Sequence, residues 1–147
     1  MCASSKYAIT AFRGAYAFLS NFYESPVTFQ GVTYQSAEAA FQAQKCLTKA
    51  EKQEFAALTP IKAKRRGRQV TLRSDWDEVK LALMEEIVRT KFSENETLKN
   101  MLLATGDAQL KEENTWNDTF WGIDQKTGSG ENHLGKILMK IRDEFSE

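Results

Sequence analysis

The chain is poor in the residues that most metal and nucleophile chemistry needs. His133 is the only histidine in 147 residues. No zinc site built on paired histidines is therefore available. A Ser-His-Asp triad would have to recruit His133, and no Gly-x-Ser-x-Gly elbow is present. The two cysteines, Cys2 and Cys46, are too few and too scattered, even with His133, for a structural zinc. Cys2 lies near the terminus, where a structural bridge is not expected, so a reducing compartment fits better than secretion. Net charge is absent too, because Lys plus Arg and Asp plus Glu both number 20. Overall charge then argues neither for nor against nucleic acid, and any electrostatic site must come from local clustering. No apolar run reaches membrane-spanning length and no signal peptide opens the chain, which predicts a cytoplasmic protein without membrane contact.

What is present suits one ordinary globular domain. Hydrophobic residues make up 41% and charged residues 27%, enough for a core without staples. Residues 1–9 are weakly patterned and are expected to fray. Val27-Thr-Phe29 and Val32-Thr-Tyr34, separated by Gln30-Gly31, read as a hairpin. Ser36 looks like an N-cap for a helix from Ala37 to about Leu47. Lys49 to Leu58 is a short helical stretch. Thr59-Pro60 starts a third helix that ends near Gly67. Ser74 or Asp75 opens the longest helix, to about Phe92, with Leu83, Met84, Ile87, Val88 and Phe92 on one stripe. A shorter helix runs from Leu98 to Ala104 and stops at Gly106. Gln109 to Glu112 reads as a strand, Asn114 to Gly130 as loop, and Leu134, Ile137, Leu138, Ile141 and Phe145 as one face of a last helix. The class is mainly α with a small β element, in a single domain.

The helix at residues 37–45 is unusual in its charges. Only Glu38 and Lys45 are charged there, and seven residues place them on one helix face, roughly 10 Å apart along the axis. Gln42 lies between them. Ala37, Ala40, Phe41 and Leu47 form the neighbouring apolar stripe, while Ala39 and Ala43 leave the far side uncharged. Such a helix is enclosed on most sides, and its polar stripe faces a cleft. The plainer alternative is that Glu38 and Lys45 only complement the helix dipole, and spacing alone favours it.

Three further segments offer chemistry and a bland alternative each. Asn114 to Gly122 packs Trp116, Phe120 and Trp121 around Asn117 and Asp118, which suits base stacking and ribose hydroxyls, or else a loop whose tryptophans plug the core. Gly128 to Gly135 leads into the last helix, where free amides suit phosphate, or else forms a turn with Asn132 as N-cap. Lys62, Lys64, Arg65, Arg66, Arg68 and Arg73 form a basic stretch able to meet phosphate, or simply a solvated face. Cys46 follows Lys45 but points about a quarter-turn away, a poor setting for a thiolate nucleophile.

Taken in order, these segments resemble the NADAR (YbiA-like) family. The resemblance rests on Phe18-Leu-Ser-Asn-Phe22, Gln35-Ser-Ala-Glu-Ala-Ala-Phe-Gln-Ala-Gln-Lys45, Gly67-Arg68, Trp76, Asn117-Asp-Thr-Phe-Trp-Gly122 and Gly128-Ser-Gly-Glu-Asn-His-Leu-Gly135. It implies a mainly helical YbiA-like fold and a pocket for a ribose-bearing ligand such as ADP-ribose. It also implies N-glycosidase activity, on a phosphoribosylamino-pyrimidine intermediate of riboflavin synthesis or on ADP-ribosylated guanine in nucleic acid. The family's Glu and Lys fall on Glu38 and Lys45, and Asp118 joins them in the implied catalytic set. Ser20, Asn21, Phe22, Arg68, Trp76, Asn117, Trp121, Gly122, Gly130 and Asn132 are the implied substrate-binding residues. One departure stands out: Ala39 occupies a position where the family often carries a bulkier side chain, commonly His, and the smaller residue is expected to open the pocket.

The mechanism this implies gives Glu38 proton transfer to the leaving nitrogen and activation of water. Lys45 either attacks C1 to form a Schiff base or holds phosphate and orients Glu38. Asp118 and Asn21 bind ribose hydroxyls, Trp121 walls the base, and the Gly128–Gly135 segment takes phosphate. No cofactor, no metal and no stable protein partner is implied. The competing expectations are a non-catalytic ADP-ribose or NAD-binding module and a nucleic-acid binder using the basic stretch.

Overall fold

Gln30 and Gly31 both have left-handed backbone, φ 51° and 84°. That pair of positive φ values is what a tight two-residue hairpin turn demands. It reverses the chain between Glu24–Phe29 and Val32–Ser36, paired antiparallel with Val27 opposite Tyr34. Alternation buries Val27, Phe29, Val32 and Tyr34 on one face of this hairpin.

The computed structural model describes residues 7–147, so Cys2 lies outside the described residues. In chain order the elements are β1 (Ala8–Ile9), a 3-10 turn at Gly14–Leu19, β2 (Glu24–Phe29), β3 (Val32–Ser36), α1 (Ala37–Ala43) and α2 (Lys49–Gln53). After a 3-10 turn at Glu54–Ala57 come α3 (Pro60–Gly67), α4 (Trp76–Ser93), α5 (Glu96–Ala104), β4 (Gln109–Leu110), β5 (Glu113–Asn114), β6 (Ile123–Asp124) and α6 (His133–Phe145). The chain is mainly helical with short strands, as the sequence predicts.

Residues 21–95 form one unit. Each early helix here starts on a side-chain cap, two of which, Ser36 and Thr59, the sequence announces. Ser36 accepts from the Ala39 amide, Thr48 and Glu51 make a reciprocal capping box, and Thr59 accepts from the Lys62 amide with Pro60 at the first helical position. Each cap stabilises its helix by about 1 kcal/mol. The α1 helix is buried along its whole length. It packs against the hairpin, α3 and α4, with Ala37, Ala40, Phe41 and Ala43 in the core beside Met84, Ile87 and Val88. Alanine keeps that helix thin, so three neighbours can close on it.

The helix is shorter than the sequence suggests. It ends at Ala43, and Leu47, expected on its apolar stripe, is 59% exposed. The amides of Gln44, Lys45 and Cys46 turn back to the carbonyls of Phe41, Gln42 and Ala43, a tightened winding. The carbonyls of Gln44 and Lys45 are meanwhile taken by Arg73. A carbonyl held sideways cannot extend the helix, and Thr48 begins the next one.

Residues 7–20 with 96–147 form the other described unit. Ala8 and Ile9 pair in parallel with Gln109 and Leu110. The expectation of an unpatterned start is thus corrected for these two residues, because a distant strand supplies their partners. The expected strand at Gln109–Glu112 is shortened to β4, β5 follows it at Glu113–Asn114, and β6 lies inside the segment read as loop, parallel to β5. Leu110, Leu134, Ile137, Leu138 and Ile141 are buried here, with Leu98 and Leu102 of α5. Gly106, at φ 65°, ends α5 as expected. Among the described residues no helix is long and apolar enough to cross a membrane.

Candidate active site

Glu38 sits in the first turn of α1 and is 8% exposed. Its backbone amide donates to the Asn21 carbonyl at 2.9 Å, so the segment after Leu19 fixes the start of the helix. Its carboxylate Oε2 accepts from Gln42 Nε2 at 2.7 Å. A carboxylate removed from water needs such donors, because desolvation otherwise penalises its charge.

Lys45 follows the end of α1, in the turn closed by Arg73. Its ammonium lies 5.8 Å from the centre of the Trp76 ring. Trp76 is itself buried and tilted against Phe41, with centroids 5.0 Å apart. Burial holds the Lys45 pKa below the ordinary lysine value. The Glu38 carboxylate pulls it back up, while Arg68 and Lys80 push it down. The residue is thus a half-buried amine above an aromatic floor, within the field of a buried carboxylate. An amine with a lowered pKa is more often neutral at neutral pH, which is the form that attacks carbon.

Within residues 21–95, then, the chain brings together Glu38, Lys45, Arg68 and Trp76, all singled out from sequence. Arg68 caps the end of α3 and is exposed. Phe22 is 37% exposed, with the Lys64 ammonium 5.7 Å from its ring centre. Asn21 is buried and its side-chain amide donates to Met84 Sδ at 3.3 Å. That bond holds the segment against α4. Ala39 is fully enclosed, so the small side chain leaves no opening. In the basic stretch Arg66 pairs with Glu54 and Arg73 with Asp75, while Lys62 and Arg65 are exposed, as on a solvated face. Burial pushes the Cys46 thiol up, which opposes a thiolate nucleophile.

The remaining expected residues belong to the other unit. Ser20 is half-buried there. Asp118 Oδ1 accepts from the amides of Phe120 and Trp121 at 3.1 and 2.9 Å, and Asn114 bonds the Asp118 backbone at both ends. This carboxylate organises its own loop. Asn117 is exposed with φ 65°. Trp121 meets Phe120 edge-on at 4.8 Å, and Phe120 packs on His133 at 4.5 Å, whereas Trp116 is 61% exposed. A side chain at Gly122 would strike Glu112 and Asn114, and one at Gly130 would strike the Gly122 carbonyl. These glycines permit close backbone approach.

The amides expected to be free at the start of α6 are engaged. The amides of Glu131, Asn132, His133 and Leu134 already donate to the carbonyls of Thr119, Gly122, Phe120 and Trp121. Asn132 stands at the N-cap position but makes no side-chain cap. Its Oδ1 accepts from the Glu112 amide and its Nδ2 donates to the Leu110 carbonyl, stitching the helix start to β4.

Comparison with known proteins agrees with this architecture. Residues 10–146 match the NADAR domain. The chain belongs to the NADAR family. The N-glycosidase YbiA of Escherichia coli K12 is 38% identical over 134 residues, covering 89% of this chain and 82% of that protein. A riboflavin biosynthesis protein of Vibrio vulnificus is 40% identical over 135 residues, and there the chain matches 90% of itself but spans only 36% of its relative. The NMR structure of the E. coli protein YbiA superposes with a TM-score of 0.81 at 33% identity, covering 96% of this chain and 89% of that one.

Two residues in this NADAR site carry roles that sequence reasoning did not assign. Arg73, read only as one of a basic run, sets where α1 stops and so where Lys45 stands. Gln42, noted between Glu38 and Lys45, is a direct partner of the carboxylate. Spacing of four residues from Glu38 was the available signal for the second; nothing local signals the first. Among the described residues no cluster of three His, Cys, Asp or Glu side chains is arranged to hold a metal.

Proposed function

We propose that this protein is a cytoplasmic N-glycosidase that hydrolyses the C1–N bond of a ribosyl amine, with Glu38 and Lys45 as its catalytic pair. The observation carrying this reading is the juxtaposition of a buried carboxylate with an amine whose pKa is lowered, above the Trp76 ring. The names of the relatives supply the reaction class.

As the C1–N bond breaks, the leaving nitrogen takes a proton from the Glu38 carboxyl. The Lys45 amine adds to C1, and the opened ring oxygen carries the proton that Lys45 gives up. Water then adds to the resulting imine carbon and Glu38 accepts one of its protons; the new C1 hydroxyl gives its proton to the Lys45 nitrogen as the Lys45–C1 bond breaks and C1 becomes a carbonyl. The net change is one water consumed, with free base and free sugar released. In this reading Arg68, exposed at the end of α3, meets a phosphate of the substrate.

Two substrate classes fit. One is a phosphoribosylamino-pyrimidine of riboflavin synthesis, in keeping with the name of the Vibrio relative. The other is ADP-ribosylated guanine in nucleic acid. Incubation of purified protein with each, followed by chromatography, decides between them: release of free base from one and not the other names the substrate. Tight ADP-ribose binding with no base released from either would instead leave a non-catalytic binding module.

A further inference from the structure

Gln42 makes an asymmetric use of its amide. Nε2 donates to Glu38 Oε2 at 2.7 Å, while Oε1 is buried without a hydrogen-bond partner among the described residues. The orientation follows from chemistry. A carboxylate only accepts, so the amide must turn its N–H edge to Glu38. That leaves Oε1 against α3, where it lies over Gly67: a β-carbon there would collide with Oε1 and approach Cδ within 2.8 Å. A buried amide oxygen without a partner destabilises the fold, and an apolar side chain of equal size would avoid that cost. The position therefore keeps an amide for what its other end does.

We infer that Gln42 is a positioning residue for the Glu38 carboxylate, and that Gly67 is glycine because only a bare α-carbon lets the Gln42 amide lie flat beneath α3. This rests on Glu38 being the proton-transfer group, and it extends that reading to two residues that act on Glu38 from behind. Gly67 acts through Gln42, whose atoms lie nearest to a β-carbon at that position. Removing either the donor or the space beneath it should then have the same consequence, and removing both should add nothing.

The test compares wild type with Gln42→Met, Gly67→Ala and the double variant. The Glu38 side-chain carboxyl is followed by carbon-13 NMR titration, with amide spectra confirming the fold. Loss of the N–H donor disfavours the ionised carboxylate, so the Glu38 midpoint moves up in both single variants. The double variant moves no further than the larger single one. On whichever ribosyl amine the wild type cleaves, kcat falls about tenfold with KM nearly unchanged. A folded Gln42→Met protein whose Glu38 titrates as in wild type overturns the inference. So does a double variant equal to the sum of the singles. Should Gly67→Ala fail to fold, Gln42→Met still decides the link to Glu38. Since the titration needs no substrate, a wild type without glycosidase activity would sink the proposed function and leave this readout intact.

Discussion

The backbone amide of Arg73 donates to the carbonyl of Lys45 at 3.0 Å, 28 residues away in sequence. Its guanidinium reaches the Gln44 carbonyl as well, at 3.4 Å, while also pairing with Asp75. One residue thus closes the turn that carries the Lys45 amine. The main-chain bond does not depend on the side chain. Arg73→Ala should therefore remove the Asp75 pair, which is partly exposed and contributes little, and keep Lys45 in place. Thermal melting of this variant is expected to change slightly and its turnover less than threefold, roughly the scale of a surface substitution. A large loss of turnover would mean that the guanidinium, not the backbone, holds the turn.

The charges around Lys45 predict two opposite shifts. Arg68 pushes its pKa down and Glu38 pulls it up. Arg68→Ala should therefore raise the Lys45 midpoint, and Glu38→Gln should lower it. Reductive methylation with carbon-13 formaldehyde, followed by NMR titration of the labelled amines, reads both. In wild type the Lys45 signal should titrate below 10.5, the ordinary lysine value. Shifts in the same direction in both variants would contradict the electrostatic account.

The imine route makes its own demand. Borohydride added during turnover should reduce the adduct and leave the sugar on Lys45, detected by peptide mass spectrometry. Full turnover with Lys45 never modified would assign Lys45 to binding instead.

Lys91 provides a test of the fold rather than the site. It is fully buried in α4, with its ammonium 5.6 Å from the Tyr23 ring and 5.0 Å from that of Phe92. Burial lowers its pKa from 10.5 to about 7. Between those values the unfolded chain binds more protons, so stability rises with pH across that window. Below about 7 both states are protonated and the full cost of burying the charge is present. Lys91→Met removes that cost, so its melting temperature relative to wild type should be higher at pH 6 than at pH 10. Equal differences at both pH values would mean that Lys91 is charged in neither state or in both.

The sequence was informative where the cause was local. Gln30-Gly31, Ser36, Thr59-Pro60 and Gly106 each act within a turn of themselves, and the structure has the expected hairpin, caps and stop there. It was uninformative where a distant residue decides. The end of α1 depends on Arg73, the strand at Ala8–Ile9 on Gln109 and Leu110. Asn132 shows both at once. Its position before α6 was legible, but its side chain is spent on Leu110 and Glu112 rather than on its own helix. In the site, Glu38 and Lys45 came from the motif, and spacing alone favoured a plainer role. What spacing could not supply was their setting: complete burial of α1, an aromatic floor and a guanidinium at the end of α3.

Proton transfer by Glu38 is measured most directly with Glu38→Gln under single-turnover conditions, with calorimetry on the same ligand. The variant should bind within a few-fold of wild type and cleave the C1–N bond about 10²–10⁴-fold more slowly, the range typical of a lost general acid or base. Glu38→Gln protein that releases base at the wild-type rate would contradict the account.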